Sequence, residues 1–293
     1  MNRSRKGTRM TDDPKTLVST DWLAARLGDA DIRILDASWH MPAAGRDAQA
    51  EFDERHIPGA QFFDIDAISD PDSDLPHMAP SPAVFAGKVG QMGIGPGQQV
   101  VIYDHAATRS AARAWWTFRL MGFSNVAVLD GGLGKWLAEN RPVTADVTGL
   151  LGEDVQASRD AALVRNREEV ASASQLGTHE IVDARAAPRF RGEAPEPREG
   201  LRSGHMPGAK NLPFDRLYNE DGTMKSGDAL RAQFDDASVD LSRPVITTCG
   251  SGITAASLSL ALERLGHRNH ALYDGSWTEW GAHPDSKIAT GDA

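Results

Sequence analysis

VIYDHAATRSAARAWWTFRLMGFSNVAVLDGGLGKW (101–136) and VITTCGSGITAASLSLALERLGHRNHALYDGSWTEW (245–280) align without a gap at a constant offset of 144 positions. The offset pairs Gly122 with Gly266, Asp130-Gly131 with Asp274-Gly275, and Trp136 with Trp280. Upstream, HIPGA (56–60) answers HMPGA (205–209), and ILDA (34–37) answers IVDA (181–184). Two copies in the same order mean a duplicated domain, each copy the size of a small globular fold. The pattern places the N-terminal copy over 17–145, a linker over 146–166 and the C-terminal copy over 167–290.

Within each copy, short β-rich runs such as Ile32–Leu35, Val100–Tyr103 and Val126–Leu129 alternate with helical stretches. That alternation argues for an α/β fold, two tandem domains each with a parallel sheet flanked by helices. Ala255, Leu258, Leu262 and Leu265 recur at helical spacing, as do their partners Ala111, Ala114, Phe118 and Met121. The spacing predicts one apolar helix face laid on a sheet and a helix end at Gly266 or Gly122.

The chain has 293 residues, with 31 Lys and Arg against 41 Asp and Glu, a net charge of −10. An acidic surface argues against nucleic acid or an anionic membrane as partner. No run approaches the length and apolarity of a membrane span. The start, MNRSRKGTRM (1–10), lacks the apolar core of a secretory signal and reads as a frayed tail, or as lying upstream of a true start at Met10. A single cysteine, Cys249, rules out an internal disulfide framework. It points to a reducing compartment, the cytosol. No paired ligand spacing suggests a metal, and no cofactor is implied.

Cys249 stands where the run VITT gives way to Gly250-Ser251-Gly252-Ile253-Thr254 and then a helix. In open α/β sheets this edge is where ligands bind. The glycines let successive N–H groups converge on one anion, and the helix adds the positive end of its dipole. That anion can be the cysteine sulfur itself. A lone cysteine is otherwise most often an inert core thiol. Its position between a strand and a Gly-x-Gly turn favours the presented thiolate.

On these features the chain resembles the tandem-domain rhodanese family, over about Leu17 to Ile288. CGSGIT (249–254) is similar to the loop of the family's mercaptopyruvate-using branch, which carries Val where Ile253 stands. The thiosulfate-using branch has basic residues where this chain has Gly250 and Ser251. His105 occupies the cysteine position of the N-terminal copy, which therefore resembles the family's inactive half.

The resemblance implies a reaction and a set of residues. Cys249 would take sulfur from 3-mercaptopyruvate, release pyruvate, and pass the persulfide sulfur to a thiol acceptor such as thioredoxin or a small thiol, or to cyanide. Gly250, Gly252, Ile253 and Thr254 would form the binding loop. Arg189 (in RFRG) and Arg198 (in PEPR) match the family's substrate-binding arginines, and a carboxylate substrate suits a guanidinium fork. Ser251, with His77 (in DLPHM) and Asp66 (in FFDID), would form a proton relay across the two copies. Arg185 is expected to serve structure near the loop, and His56 and His205, present in both copies, to stabilise turns. A phosphatase of related fold would need an arginine six residues after the cysteine, where this chain has Ala255. Thiosulfate sulfurtransferase and a persulfide carrier that does not turn over are the remaining alternatives.

Overall fold

The computed structural model describes residues 11–292. The N-terminal tail and the choice between Met1 and Met10 lie outside the described residues. The first half contains β1 (Leu17–Val18), α1 (Thr20–Ala24), β2 (Ile32–Asp36), α2 (Ala48–Glu54), β3 (Ala60–Phe62), α3 (Pro82–Gln91), β4 (Gln99–Tyr103), α4 (Ala111–Leu120), β5 (Val126–Leu129) and α5 (Gly132–Ala138). The second half repeats the series as β6 (Val164–Arg165), α6 (Arg167–Leu176), β7 (Glu180–Asp183), α7 (Ala187–Arg191), β8 (Lys210–Asn211), α8 (Gly227–Asp236), β9 (Val245–Thr248), α9 (Ala255–Arg264), β10 (His270–Tyr273) and α10 (Ser276–Ala282).

Each half builds a five-stranded sheet, in the orders β1-β5-β4-β2-β3 and β6-β10-β9-β7-β8. All strand pairs are parallel. Parallel neighbours need long crossovers, here mostly helical, so the strands are covered on both faces. The runs VAVL of β5 and VITT of β9 are accordingly buried throughout. The central strands β4 and β9 carry His105 and Cys249 just past their carboxyl ends.

Two expectations need correction. β6 falls inside the stretch 146–166 expected as linker, because a two-residue strand paired with β10 has no periodic signal of its own. The rest of that stretch is anchored by backbone bonds, Glu153 N–H to Gly90 O at 2.9 Å and Asp160 N–H to Leu120 O at 2.7 Å. Secondly, α9 is buried on every side from Ala255 to Glu263, beyond the single face that its spacing predicts. The reason is the other half of the molecule: α4 and α9 pack against each other between the two sheets. Ala111, Ala112, Ala114, Ala255, Ala256 and Ser257 let the two backbones approach closely, and one apolar core runs through both halves. The chain ends each helix as expected, with Gly122 at φ 88° and Gly266 at φ 78°, a conformation glycine adopts without steric penalty. Among the described residues no helix is long and apolar enough to cross a membrane.

His56 and His205 do the same work in both halves. Each ring stacks on a phenylalanine, Phe52 at 4.1 Å and Phe190 at 3.8 Å. Each Nδ1 also meets that phenylalanine's carbonyl, at 2.8 and 2.9 Å.

Candidate active site

β9 delivers Cys249 to the N-terminal side of α9, and the loop between them is tied from below. The Cys249 and Gly250 carbonyls accept the N–H groups of Trp277 and Thr278 at 2.9 Å, at the start of α10. The Thr278 hydroxyl adds a bond to Gly250 O at 2.7 Å, and the Ser276 hydroxyl accepts Cys249 N–H at 3.3 Å. With its carbonyls held on that side, the loop turns an amide toward the sulfur: Gly252 N–H points at Cys249 Sγ at 3.2 Å. Gly252 has φ 83°, which lets the chain fold back over the thiol. Cys249 is 2% exposed, the only cysteine and a free thiol.

The loop of the N-terminal copy shows what the second copy has kept open. There the buried Asp104 carboxyl accepts Ala111 N–H at 2.8 Å and Ala106 N–H at 3.2 Å, so an internal acceptor already fills the start of α4. Burial raises its pKa, and those bonds oppose the rise. Thr248 stands at the equivalent position of the C-terminal copy, leaving the amides of that loop to the sulfur. The N-terminal loop also supports the site from a distance. Ser110 and Thr108 hold the Trp39 backbone, at 3.0 and 2.8 Å. The Trp39 indole then donates to Asp66 Oδ2 at 3.0 Å and stands edge-on to the His77 ring, centroids 4.7 Å apart.

Arg189 and Arg198 come from α7 and the segment after it. Glu196, with a side chain 1% exposed, bridges Arg189 Nη2 at 2.5 Å and Arg185 Nη1 at 2.8 Å. Arg185 also pairs with Asp183 at 2.7 Å and lies over the Trp277 ring at 4.1 Å, a buried strut between the first turn of α10 and the end of β7. The Arg189 guanidinium reaches over the loop, since a Cβ at Gly250 would lie 3.1 Å from its Nη2. Arg198 is half-buried and has no carboxylate ion pair among the described residues. Burial presses its pKa below the ordinary arginine value, the Cys249 sulfur opposes this, and Arg189 adds repulsion. It remains a cation.

The relay residues come together in part. His77 Nδ1 donates to Asp66 Oδ1 at 2.6 Å. Burial would raise the Asp66 carboxyl, but the bond from His77 and its charge, the Trp39 N–H and nearby Arg198 hold it below the usual range. His77 Nε2 faces Arg198 Nη2 at 3.4 Å. Ser251 is 7% exposed, in the loop beside Cys249. Ile253 and Thr254 sit in the loop as expected, Ile253 in the core and Thr254 as the residue before α9. Sequence reasoning missed Trp39, Glu196 and Asp274. For Asp274 the signal was present, because the repeat pairs it with Asp130, but its role depends on the other half of the molecule.

Comparison with known proteins agrees with this geometry. The family model for the rhodanese-like domain matches twice, over residues 19–139 and 166–283. Human 3-mercaptopyruvate sulfurtransferase is 41% identical over 94% of this chain and 96% of its own length. Thiosulfate sulfurtransferase of Cricetulus griseus is 42% identical over the same shares. Among solved structures, Tum1 of Saccharomyces cerevisiae superposes with a TM-score of 0.88 at 30% identity, covering 96% of this chain and all of its own. SseA of Escherichia coli, described as a 3-mercaptopyruvate sulfotransferase, superposes at 0.82 and 40% identity, covering 89% and 98%. Relatives named for either sulfur donor match equally well, so overall likeness does not choose between them. Doubled domains, a loop closed around one cysteine and these relatives lead to one conclusion: the chain belongs to the rhodanese family and is a tandem-domain sulfurtransferase.

Proposed function

We propose that the protein moves sulfur from 3-mercaptopyruvate through a persulfide on Cys249 to a thiol acceptor. The observation that carries this reading is the charge balance above the loop. Arg185 and Arg189 are matched by Asp183 and Glu196, which leaves Arg198 as the cation without a carboxylate ion pair among the described residues. Gly250 and Ser251 add no charge. One guanidinium outside an ion pair, above a loop with no basic residue, suits a monoanionic keto acid better than dianionic thiosulfate.

The Cys249 thiolate attacks the donor's sulfur, and the S–S bond forms as the donor's C–S bond breaks. The bonding pair leaves on carbon as the enolate of pyruvate, which takes a proton at its methylene carbon. Asp66 orients His77 for that proton step, and Ser251 lies two residues from the sulfur. Gly252 N–H and the start of α9 stabilise the persulfide anion. Arg189 and Arg198 bind the carboxylate and keto oxygen; Arg189, with a side chain 25% exposed, can swing to admit the donor. An acceptor thiol (thioredoxin or a small thiol) then attacks the outer sulfur and regenerates Cys249.

Mixing the enzyme with each donor and weighing the protein tests the reading. A mass gain of one sulfur on Cys249 with equimolar pyruvate is expected from 3-mercaptopyruvate, and none in Cys249→Ser. We expect kcat/KM for 3-mercaptopyruvate to exceed that for thiosulfate by at least about tenfold, or roughly 1.4 kcal/mol. Equal efficiencies would overturn the donor assignment, and sulfur uptake by the serine variant would overturn the nucleophile.

A further inference from the structure

Arg113, on α4 of the N-terminal half, has no part in the reaction as described, yet it is 1% exposed and its hydrogen bonds go to residues around the candidate site. Nη1 pairs with Asp274 Oδ1 at 2.7 Å, a buried contact between the halves. Nη2 donates to the carbonyl of His77. Its guanidinium carbon lies 4.5 Å from the centre of the Trp116 ring. A Cβ on Gly252 would lie 2.8 Å from Nη1, so the same group lies against the loop that holds Cys249. The other oxygen of Asp274 accepts Ala79 N–H at 2.8 Å. One guanidinium thus ties the segment 77–79 of the first half to the end of β10 and the cysteine loop of the second.

His77 has φ 62°, in the left-handed region that few non-glycine residues adopt. Its carbonyl is held by Arg113 and its ring by Asp66.

The internal symmetry of the molecule provides a control. Asp130 corresponds to Asp274 and likewise accepts an N–H from the opposite half, that of Met224 at 2.7 Å. The residue corresponding to Arg113 is Ser257, which accepts the Tyr218 hydroxyl at 2.9 Å, and Asp130 has no ion pair among the described residues. Both faces are joined by the same backbone bond, so joining the halves does not require the arginine. It is present only on the face that contains the thiol.

We infer that Arg113 is a positioning residue for sulfur transfer, holding the His77 imidazole in register with the cysteine loop. This rests on the proposed proton step through His77.

The test is a mutant cycle on the full chain. Arg113→Lys keeps the charge but cannot reach Asp274 and the His77 carbonyl together. Because a lone buried Asp274 could unfold the protein, the double variant Arg113→Met, Asp274→Asn removes both charges and keeps an acceptor for Ala79 N–H. Circular dichroism establishes that each is folded. We expect kcat for 3-mercaptopyruvate to fall on the order of 10- to 100-fold in the double variant, with KM changed less than about twofold. Arg113→Lys should fall in between. The pH profile of kcat should change in the same way as in His77→Ala, and adding His77→Ala to the double variant should cost little more. Fully additive losses, or a loss in KM alone, would overturn the positioning role. If His77→Ala alone keeps parental kcat, the proton step fails and this inference with it. A sensitive His77→Ala beside an unaffected double variant refutes the inference alone.

Discussion

Arg189 and Arg198 lie fewer than ten positions apart and differ in what surrounds them. Arg189 is paired with buried Glu196, whereas Arg198 has the Cys249 sulfur and His77 for neighbours. Both are proposed to bind the donor's carboxylate and keto oxygen. Replacing either by alanine should lower kcat/KM for 3-mercaptopyruvate by roughly 1.5–3 kcal/mol, the range of charge-assisted hydrogen bonds. Lysine should recover only part, since a point charge cannot reproduce the fork. Steady-state kinetics of the four variants checks this, and parental kcat/KM in both alanine variants would reduce the pair to surface charge. At this scale the sequence was informative only where chemistry is local. Cys249 stands out because it lies between a strand and two glycines. His77, Asp66 and Trp39 lie far from it in the chain, and no local pattern marks them. The resemblance to a family pointed to the first two; Trp39 emerged only from the packing.

At the scale of the element, strand β9, the loop and helix α9 were legible because each obeys a local rule: a β-branched run, glycines, then apolar residues at helical spacing. The burial of α9 on all sides was not legible, since its second face is defined by α4, more than a hundred residues away. The loop's geometry makes a sharp demand at Gly252. An alanine there would have to adopt φ 83° and place its Cβ 2.8 Å from Arg113 Nη1 and 3.2 Å from the Asp274 carbonyl oxygen. Backbone strain of this kind costs about 1–3 kcal/mol. The same shift moves the N–H that points at Cys249 Sγ, so persulfide formation should slow by about tenfold or more. Gly266→Ala is the matching control. It has φ 78° with nothing within 4 Å of a new Cβ, and it lies at the far end of the helix. Denaturation midpoints should fall in both variants, while single-turnover persulfide formation falls only in the first. Equal rates in the two would mean that the Gly252 amide does not serve the sulfur.

At the scale of the whole molecule, the duplication was visible from the gapless offset, and the joining of the halves was not. The two faces between the halves look alike in backbone and differ in charge. Asp274 pairs with Arg113; Asp130 accepts the Met224 N–H, and Arg264 and Lys135 act on it only through space. Burial therefore raises the Asp130 pKa from 3.8 to about 6, the Met224 bond opposes this, and Asp221 adds to it. A carboxyl raised in the folded state binds more protons there than in the unfolded chain. Its ionisation accordingly weakens the fold as pH rises through about 4 to 6, and the full penalty persists above that window. Asp130→Asn keeps an oxygen for Met224 N–H and removes the charge. Two pH units of displacement set an upper bound of about 3 kcal/mol, which the buried amide's own need for a partner reduces to about 1–2 kcal/mol. The variant should therefore be the more stable protein near about pH 8, with the advantage shrinking toward about pH 4. The difference between variant and parent is the quantity to follow, because other groups titrate in the same window. Asp36, raised chiefly by burial to about 6, weakens the fold with rising pH in the same direction. His270, lowered chiefly by burial to about 4, acts in the opposite sense, since the unfolded chain takes up that proton first. Both cancel in the comparison. Urea midpoints for the two proteins at several pH values give the result, and an advantage independent of pH, or a parent more stable above the window, would show that Asp130 stays charged at no cost in the folded protein.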